Sequence, residues 1–229
     1  MASASDLSSA VSTERVREYY NTTADRERFR LSRSTVGRIE FSVNLHFIRK
    51  YVPIGCRVLD LGGGAGPYTL ALAKAGYRVV LADLSPELLA LARAEIARSH
   101  DGSSVEDVLE ADARDLSAFP DNSFDAVLSL GPFYHLTQQD DRIRAAQELG
   151  RVLAPAGHAF VAYMPRTTLL RWLVARASET GTWHRGELRA ALTEGVYRVD
   201  KPGSFTEGYY PVPFEMQSLM SGAGIQTIR

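Results

Sequence analysis

The chain has 229 residues, a net charge of −1, and 45% hydrophobic and 23% charged residues. That length suits one medium domain with a sizeable core, and the balanced charge gives no sign of a nucleic-acid or membrane partner. A single cysteine, Cys56, excludes a disulfide framework and a cysteine-rich metal site, so no metal is expected.

Residues 1–12 are rich in Ser and Ala and are expected to be disordered or frayed. No signal peptide is visible, and no apolar run reaches the roughly 18 residues that span a bilayer. A cytoplasmic location is expected. Residues 14–51 read as helix, broken by a turn at Asn21-Thr22-Thr23. Then RVLDL (57–61) reads as a buried strand, followed by a helix opened by Pro67 and closed by Gly76. RVVLAD (78–83) is the second strand, and Ser85 and Pro86 start the next helix. VEDVLEAD (105–112), FDAVLSL (124–130) and HAFVAYM (158–164) read as strands three to five, with a helix before the last stopped at Pro155-Ala-Gly157. Residues 166–200 read as two inserted helices, a lid. SFTEGYY follows as a turn or short strand, then a helix from Pro213 and the opening of one more strand at Ile225–Arg229.

Strands alternating with helices predict right-handed βαβ units. The expected fold is α/β and Rossmann-like: a doubly wound, mostly parallel sheet with helices on both faces. It carries an N-terminal helical cover (1–52), a core (53–229) and the lid (166–200) within a single domain.

The stretch LDLGGGAGP (59–67) decides which ligand such a sheet would hold. No Gly-Lys pair is present, which excludes a phosphate-binding P-loop. A dinucleotide loop started at Gly62 would place Pro67 where its third glycine packs helix against strand. What remains is D-x-G-x-G-x-G from Asp60 to Gly66. This spacing resembles motif I of the class I S-adenosylmethionine-dependent methyltransferases. The resemblance extends to Asp83, to EADARDLSAFPDNSFDAVLSL and to ELGRVLAPAGHAFVAYM, covering roughly residues 15–165. YYNTTADRERFR is similar to the N-terminal cover of the small-molecule members.

The resemblance implies S-adenosylmethionine as cofactor, with S-adenosylhomocysteine as product. Glycines Gly62, Gly64 and Gly66 would clear space for its methionine half, whose carboxylate would meet the helix N-terminus. Asp60, Gly62 and the Leu130 carbonyl would surround its amino group. Asp83, with Leu84 beside it, would bind the ribose diol, and Asp112 and the Ala113 N–H the adenine. Tyr20 would fold over the cofactor, although a plain core stripe of Tyr19 and Tyr20 stays open as a reading.

The acceptor would sit beyond GPFYH (131–135). Gly131 stands where amino-directed relatives carry Asn or Asp, which argues against nucleobase amines. Tyr19, Phe133, Tyr134, Tyr163, Trp183 and His184 are the expected acceptor residues. His135 is the candidate general base, with a helix-end or supporting role behind the site as the alternative. The expected function is methyl transfer to a small molecule at oxygen, nitrogen or carbon. The alternatives are a non-catalytic S-adenosylmethionine-binding subunit and, disfavoured by Pro67 and Asp112, an NAD-dependent oxidoreductase. The family's sheet ends with two further strands. Either the chain continues beyond the given sequence, the favoured expectation, or a second copy covers the sheet edge as a homodimer.

Overall fold

A computed structural model describes residues 4–100, 102–181, 185–197 and 207–228. Two helical segments open the chain, α1 (Ala4–Glu27) and α3 (Thr35–Tyr51), joined through the single turn α2 (Arg30–Arg33). The core then alternates: β1 (Arg57–Leu61), α4 (Pro67–Lys74), β2 (Arg78–Asp83), α5 (Pro86–Arg98), β3 (Val105–Glu110), β4 (Phe124–Ser129), α6 (Gln139–Val152) and β5 (Leu153–Val161). Helices α7 (Arg166–Thr180) and α8 (Arg185–Thr193) follow, then β6 (Val196–Tyr197), β7 (Gly208–Tyr209) and α9 (Pro213–Gly222).

The five long strands form one parallel sheet in the order β3-β2-β1-β4-β5. The near-continuous apolar runs of β1, β2 and β4 suit a sheet covered on both faces, while the edge strand β3 carries three acids. Successive side chains divide between those faces. Leu59, Leu61, Val80 and Val127 pack with Ala146 and Leu149 of α6 and Met216 and Met220 of α9. Val58, Val79, Ala126 and Leu128 pack with Leu45 and Ile48 of α3 and Leu72 of α4. Strand order reverses direction at β1 and β4, and the crevice beyond their carboxyl ends is where open α/β sheets bind ligands. Among the described residues no helix is long and apolar enough to cross a membrane.

Several expectations need correction. Helix α1 begins at Ala4, so residues 4–12 are helical, and it runs through Asn21-Thr22-Thr23 without a turn. The Thr22 and Thr23 hydroxyls donate to the carbonyls of Glu18 (2.9 Å) and Tyr19 (2.7 Å) inside the helix. The side chain of Asn21 is engaged by Ser85, so none of the three diverts the backbone into a turn. The chain turns instead at Arg28–Phe29. Strand β3 ends at Glu110, leaving Asp112 in a tight turn bridged to Asp115. Pro155-Ala-Gly157 does not stop a helix. Helix α6 ends at Val152, and that tripeptide lies inside β5, where the pairing register shifts opposite Phe124–Ala126 and Ala156 takes φ 61°. No strand forms over the described residues Ile225–Ile228.

Candidate active site

The floor of the crevice is the loop after β1. Gly62, Gly64 and Gly66 have φ of 73°, 58° and 79°, the left-handed region where side chains are disfavoured. A Cβ at Gly62 would lie 2.8 Å from the ring of Pro132, and one at Gly63 would lie 2.7 Å from the Asp60 carboxylate. The glycines therefore serve the loop's own turn and its contacts with Asp60 and Pro132, and not only the clearance expected from sequence. Gly66 lies behind the wall as the cap residue of α4, facing Leu81 and Ala92. Asp60 is buried at the end of β1 and accepts a hydrogen bond from the Thr69 hydroxyl at 2.7 Å. Burial pushes its carboxyl up to about 6, with the Thr69 bond pulling the other way.

Asp83, the last residue of β2, is also buried. Its Oδ2 accepts the Gly64 N–H at 2.8 Å and its Oδ1 accepts the Ser85 N–H at 2.9 Å. Burial raises its carboxyl, opposed by the backbone N–H groups of Ser85, Gly64 and Leu84. One carboxylate thus ties the first loop to the second. Ser85 accepts the Leu88 N–H to cap α5 and donates to Asn21 of α1 at 2.6 Å. Asp60, Gly62, Gly64, Asp83, Leu84, Asp112, Ala113, Leu130 and Tyr20 all line one cleft.

At the far end Asp112 is held by Arg114. The guanidinium donates from Nε to Oδ1 at 2.9 Å and from Nη2 to Oδ2 at 2.5 Å, and the Arg114 backbone N–H also reaches Oδ1 at 2.9 Å. Arg114, Asp141 and the α1 residues Ser12, Thr13 and Val16 line this end of the cleft. Sequence reasoning missed all five, because α1 meets Arg114 and Asp141 across separations of 101 to 132 positions.

The opposite end holds the expected acceptor residues in part. Tyr134 and His135 line the cleft with Tyr20. The Tyr20 hydroxyl and His135 Nε2 share a hydrogen bond of 2.8 Å, their rings edge to face. Burial pushes His135 down to about 3 and Tyr134 up to about 12, so both are neutral across the physiological range. Phe133 turns into the core among residues of β1, β4 and α6 and is 1% exposed, so it is not on the wall. On the single 3-10 turn Pro132–His135, Phe133 faces the core while Pro132, Tyr134 and His135 line the cleft. Tyr163 lies past the end of β5 and packs against that same core. Tyr19 sits outside the cleft, its hydroxyl accepting from Arg26 Nη2 at 2.6 Å. Trp183 and His184 lie outside the described residues. In their place the wall carries Tyr68, Glu27 and Arg30, the last paired with both oxygens of Glu40 at 2.9 and 3.1 Å. No described residue of α7 or α8 lines the cleft.

Comparison with known proteins agrees with this geometry. Residues 59–161 match the model of a methyltransferase domain. A ubiquinone biosynthesis O-methyltransferase of Xanthomonas axonopodis is 34% identical over 144 residues, 58% of this chain and 56% of the relative. The chain therefore spans about half the length of the curated relatives it matches. Among solved structures, an S-adenosylmethionine-dependent methyltransferase of Methanosarcina mazei superposes with TM-score 0.64 at 21% identity, covering 77% of this chain and 82% of the other. A magnesium protoporphyrin IX methyltransferase of Synechocystis, solved with bound S-adenosylmethionine, also reaches 0.64, at 15% identity and 95% and 88% coverage. These two establish the fold, and the methyltransferase match leaves the oxidoreductase reading without support. Residues 59–161 are therefore similar to a methyltransferase domain, and the chain shares the fold of these S-adenosylmethionine-dependent methyltransferases.

Proposed function

We propose that this protein transfers a methyl group from S-adenosylmethionine to a small-molecule acceptor in the cytoplasm. The observation that carries the reading is the buried Asp83 carboxylate, fixed by two backbone N–H groups beside the glycine loop and open to the cleft. Such a carboxylate offers about four lone-pair positions, so acceptor capacity remains for a diol. The rest of the cleft suits the cofactor's other parts. The amino group would meet Asp60, Gly62 and the Leu130 carbonyl, and the carboxylate would meet the N-terminus of α4. Asp112 and the Ala113 N–H would receive the adenine. Asp112 keeps acceptor capacity beyond its bonds to Arg114.

When bound, the cofactor supplies a methyl group on a cationic sulfonium. The contribution of this chain is alignment and exclusion of water. Tyr20, Tyr134 and His135 present a neutral wall toward the acceptor. A histidine held at about 3 by burial is too weak a base to keep an acceptor's proton, so we assign His135 to positioning Tyr20. This takes the supporting alternative for His135 over the general-base reading.

Calorimetry with S-adenosylhomocysteine tests the reading on the full chain. One-to-one binding is expected, and a folded sample that binds neither the product nor S-adenosylmethionine overturns it. The O-methyltransferase relatives put small hydroxyl compounds first in the acceptor panel.

A further inference from the structure

The guanidinium of Arg114 is used to capacity. Its Nε donates to Asp112 Oδ1, and its Nη2 donates to Asp112 Oδ2 and to the Thr13 hydroxyl at 2.6 Å. Its Nη1 donates to the Ser9 hydroxyl and lies 3.2 Å from Asp141 Oδ2. Arginine has five N–H donors in a rigid fork, and here each has an acceptor. Ser9 in turn donates to Asp141 Oδ2 at 2.6 Å. The acceptors come from three places: the turn after β3, the first turn of α6, and two hydroxyls one turn apart on α1. Arg114 and Asp141 are 16% and 8% exposed, so this is a shielded network and not a solvated surface pair. Thr13, Asp112, Arg114 and Asp141 all line the cleft.

A network of this kind joins two events. Helix α1 forms one wall of the cleft through Ser12, Thr13, Val16 and Tyr20, and the side chain that holds its N-terminal half through Ser9 and Thr13 is the one that orients Asp112. We propose that Arg114 is a positioning residue that couples occupation of the adenine end of the cleft to docking of α1. This rests on the functional reading above. A ligand that fixes Asp112 fixes Arg114, and with it the donors that hold Ser9 and Thr13. By linkage, a docked α1 must then favour ligand binding to the same degree. Lysine cannot substitute, because one ammonium cannot span acceptors on three elements.

Hydrogen exchange of the full chain, with and without saturating S-adenosylhomocysteine, tests this. In the unaltered protein the ligand is expected to slow exchange at least tenfold in residues 9–20 and in the loop 62–66. In Arg114→Gln the loop is still slowed, residues 9–20 are not, and binding weakens about tenfold; Arg114→Lys behaves the same way. A purely structural role would instead speed exchange of α1 equally with and without ligand. If Arg114→Gln fails to fold, Ser9→Ala with Thr13→Val removes only the acceptors on α1 and must abolish the same ligand-dependent slowing. Retention of that slowing in a folded variant overturns the coupling. Absence of slowing at both segments in the unaltered protein overturns the functional reading itself. Slowing at the loop but not at α1 overturns the coupling alone.

Discussion

The two walls of the cleft are built on different physics. The floor stands on β1, β2 and β4, where Val58, Leu59, Val79, Leu81 and Leu128 are fully buried between two layers of helices. The roof is α1, which, among its described side chains, buries the apolar Val16 and Ala24 and otherwise attaches through polar groups. Ser9 and Thr13 receive Arg114, Arg17 reaches Glu110 at 2.5 Å, Tyr20 reaches His135, and Asn21 receives Ser85. Apolar burial contributes roughly 25 cal/mol per Å² and adds up over a contiguous core, whereas partly exposed ion pairs contribute about 0–1 kcal/mol each. The roof is therefore the segment expected to open at the lowest free energy, and a closed cleft needs one part that opens.

The largest expected effect breaks the floor. Leu128→Ala empties a fully buried site and should cost about 2–5 kcal/mol in urea unfolding. A loss under about 1 kcal/mol would show that the sheet is not where stability resides. Next, Asp83→Ala should weaken S-adenosylhomocysteine binding by about 1–3 kcal/mol, through lost charge-assisted hydrogen bonds and a loosened glycine loop. Calorimetry would contradict the assigned role if affinity stayed within a factor of two.

Two buried titratable groups, Asp60 in the floor and His135 where the turn after β4 meets Tyr20 of the roof, sharpen the comparison through pH. Asp60 is raised from an ordinary 3.8 to about 6, so the folded chain holds the proton more tightly. Its stabilisation is present below about pH 4 and is lost as pH rises through about 6. His135 is lowered from 6.5 to about 3, so its contribution is present above about 6.5 and is lost as pH falls toward 3. Between about pH 4 and 6 the two oppose each other. His135→Gln should leave stability falling as pH rises through that window, and Asp60→Asn should leave it rising, each by up to about 1.4 kcal/mol per pH unit. Urea unfolding at pH 4.5 and 6 measures both slopes, and equal slopes in the two variants would refute the assignment.

The smallest effect is reserved for the roof. Arg17→Ala removes a half-exposed pair with Glu110 and should change global stability by less than about 1 kcal/mol. Protease susceptibility in α1 should nevertheless rise, and 1 M salt should have the same effect on the unaltered chain. A large global loss would mean that roof and floor unfold as one unit.

The site was readable to different depths along the chain. The strands Arg57–Leu61 and Arg78–Asp83 fall where their apolar runs, bounded by glycine and proline, place them. The Ser85 cap and Pro86 at the first turn of α5 are local signals and hold as read. The glycine loop, Asp60 and Asp83 followed for the same reason: a few neighbouring residues dictate backbone conformation there. Three features were not local. Helix α1 continues through Asn21-Thr22-Thr23 because a partner 64 positions away engages Asn21. Phe133 and Tyr134 part ways because a short turn sends one ring to the core and the next to the cleft. Arg114 reads in sequence as an ordinary charged residue of a turn. Only when the sheet brings the end of β3 beside α6 and α1 do its five donors find acceptors on three elements. Periodicity and turn chemistry act within a few residues and were set by the sequence alone. The pairing of charges across a cleft depends on distances that exist only after the chain has folded.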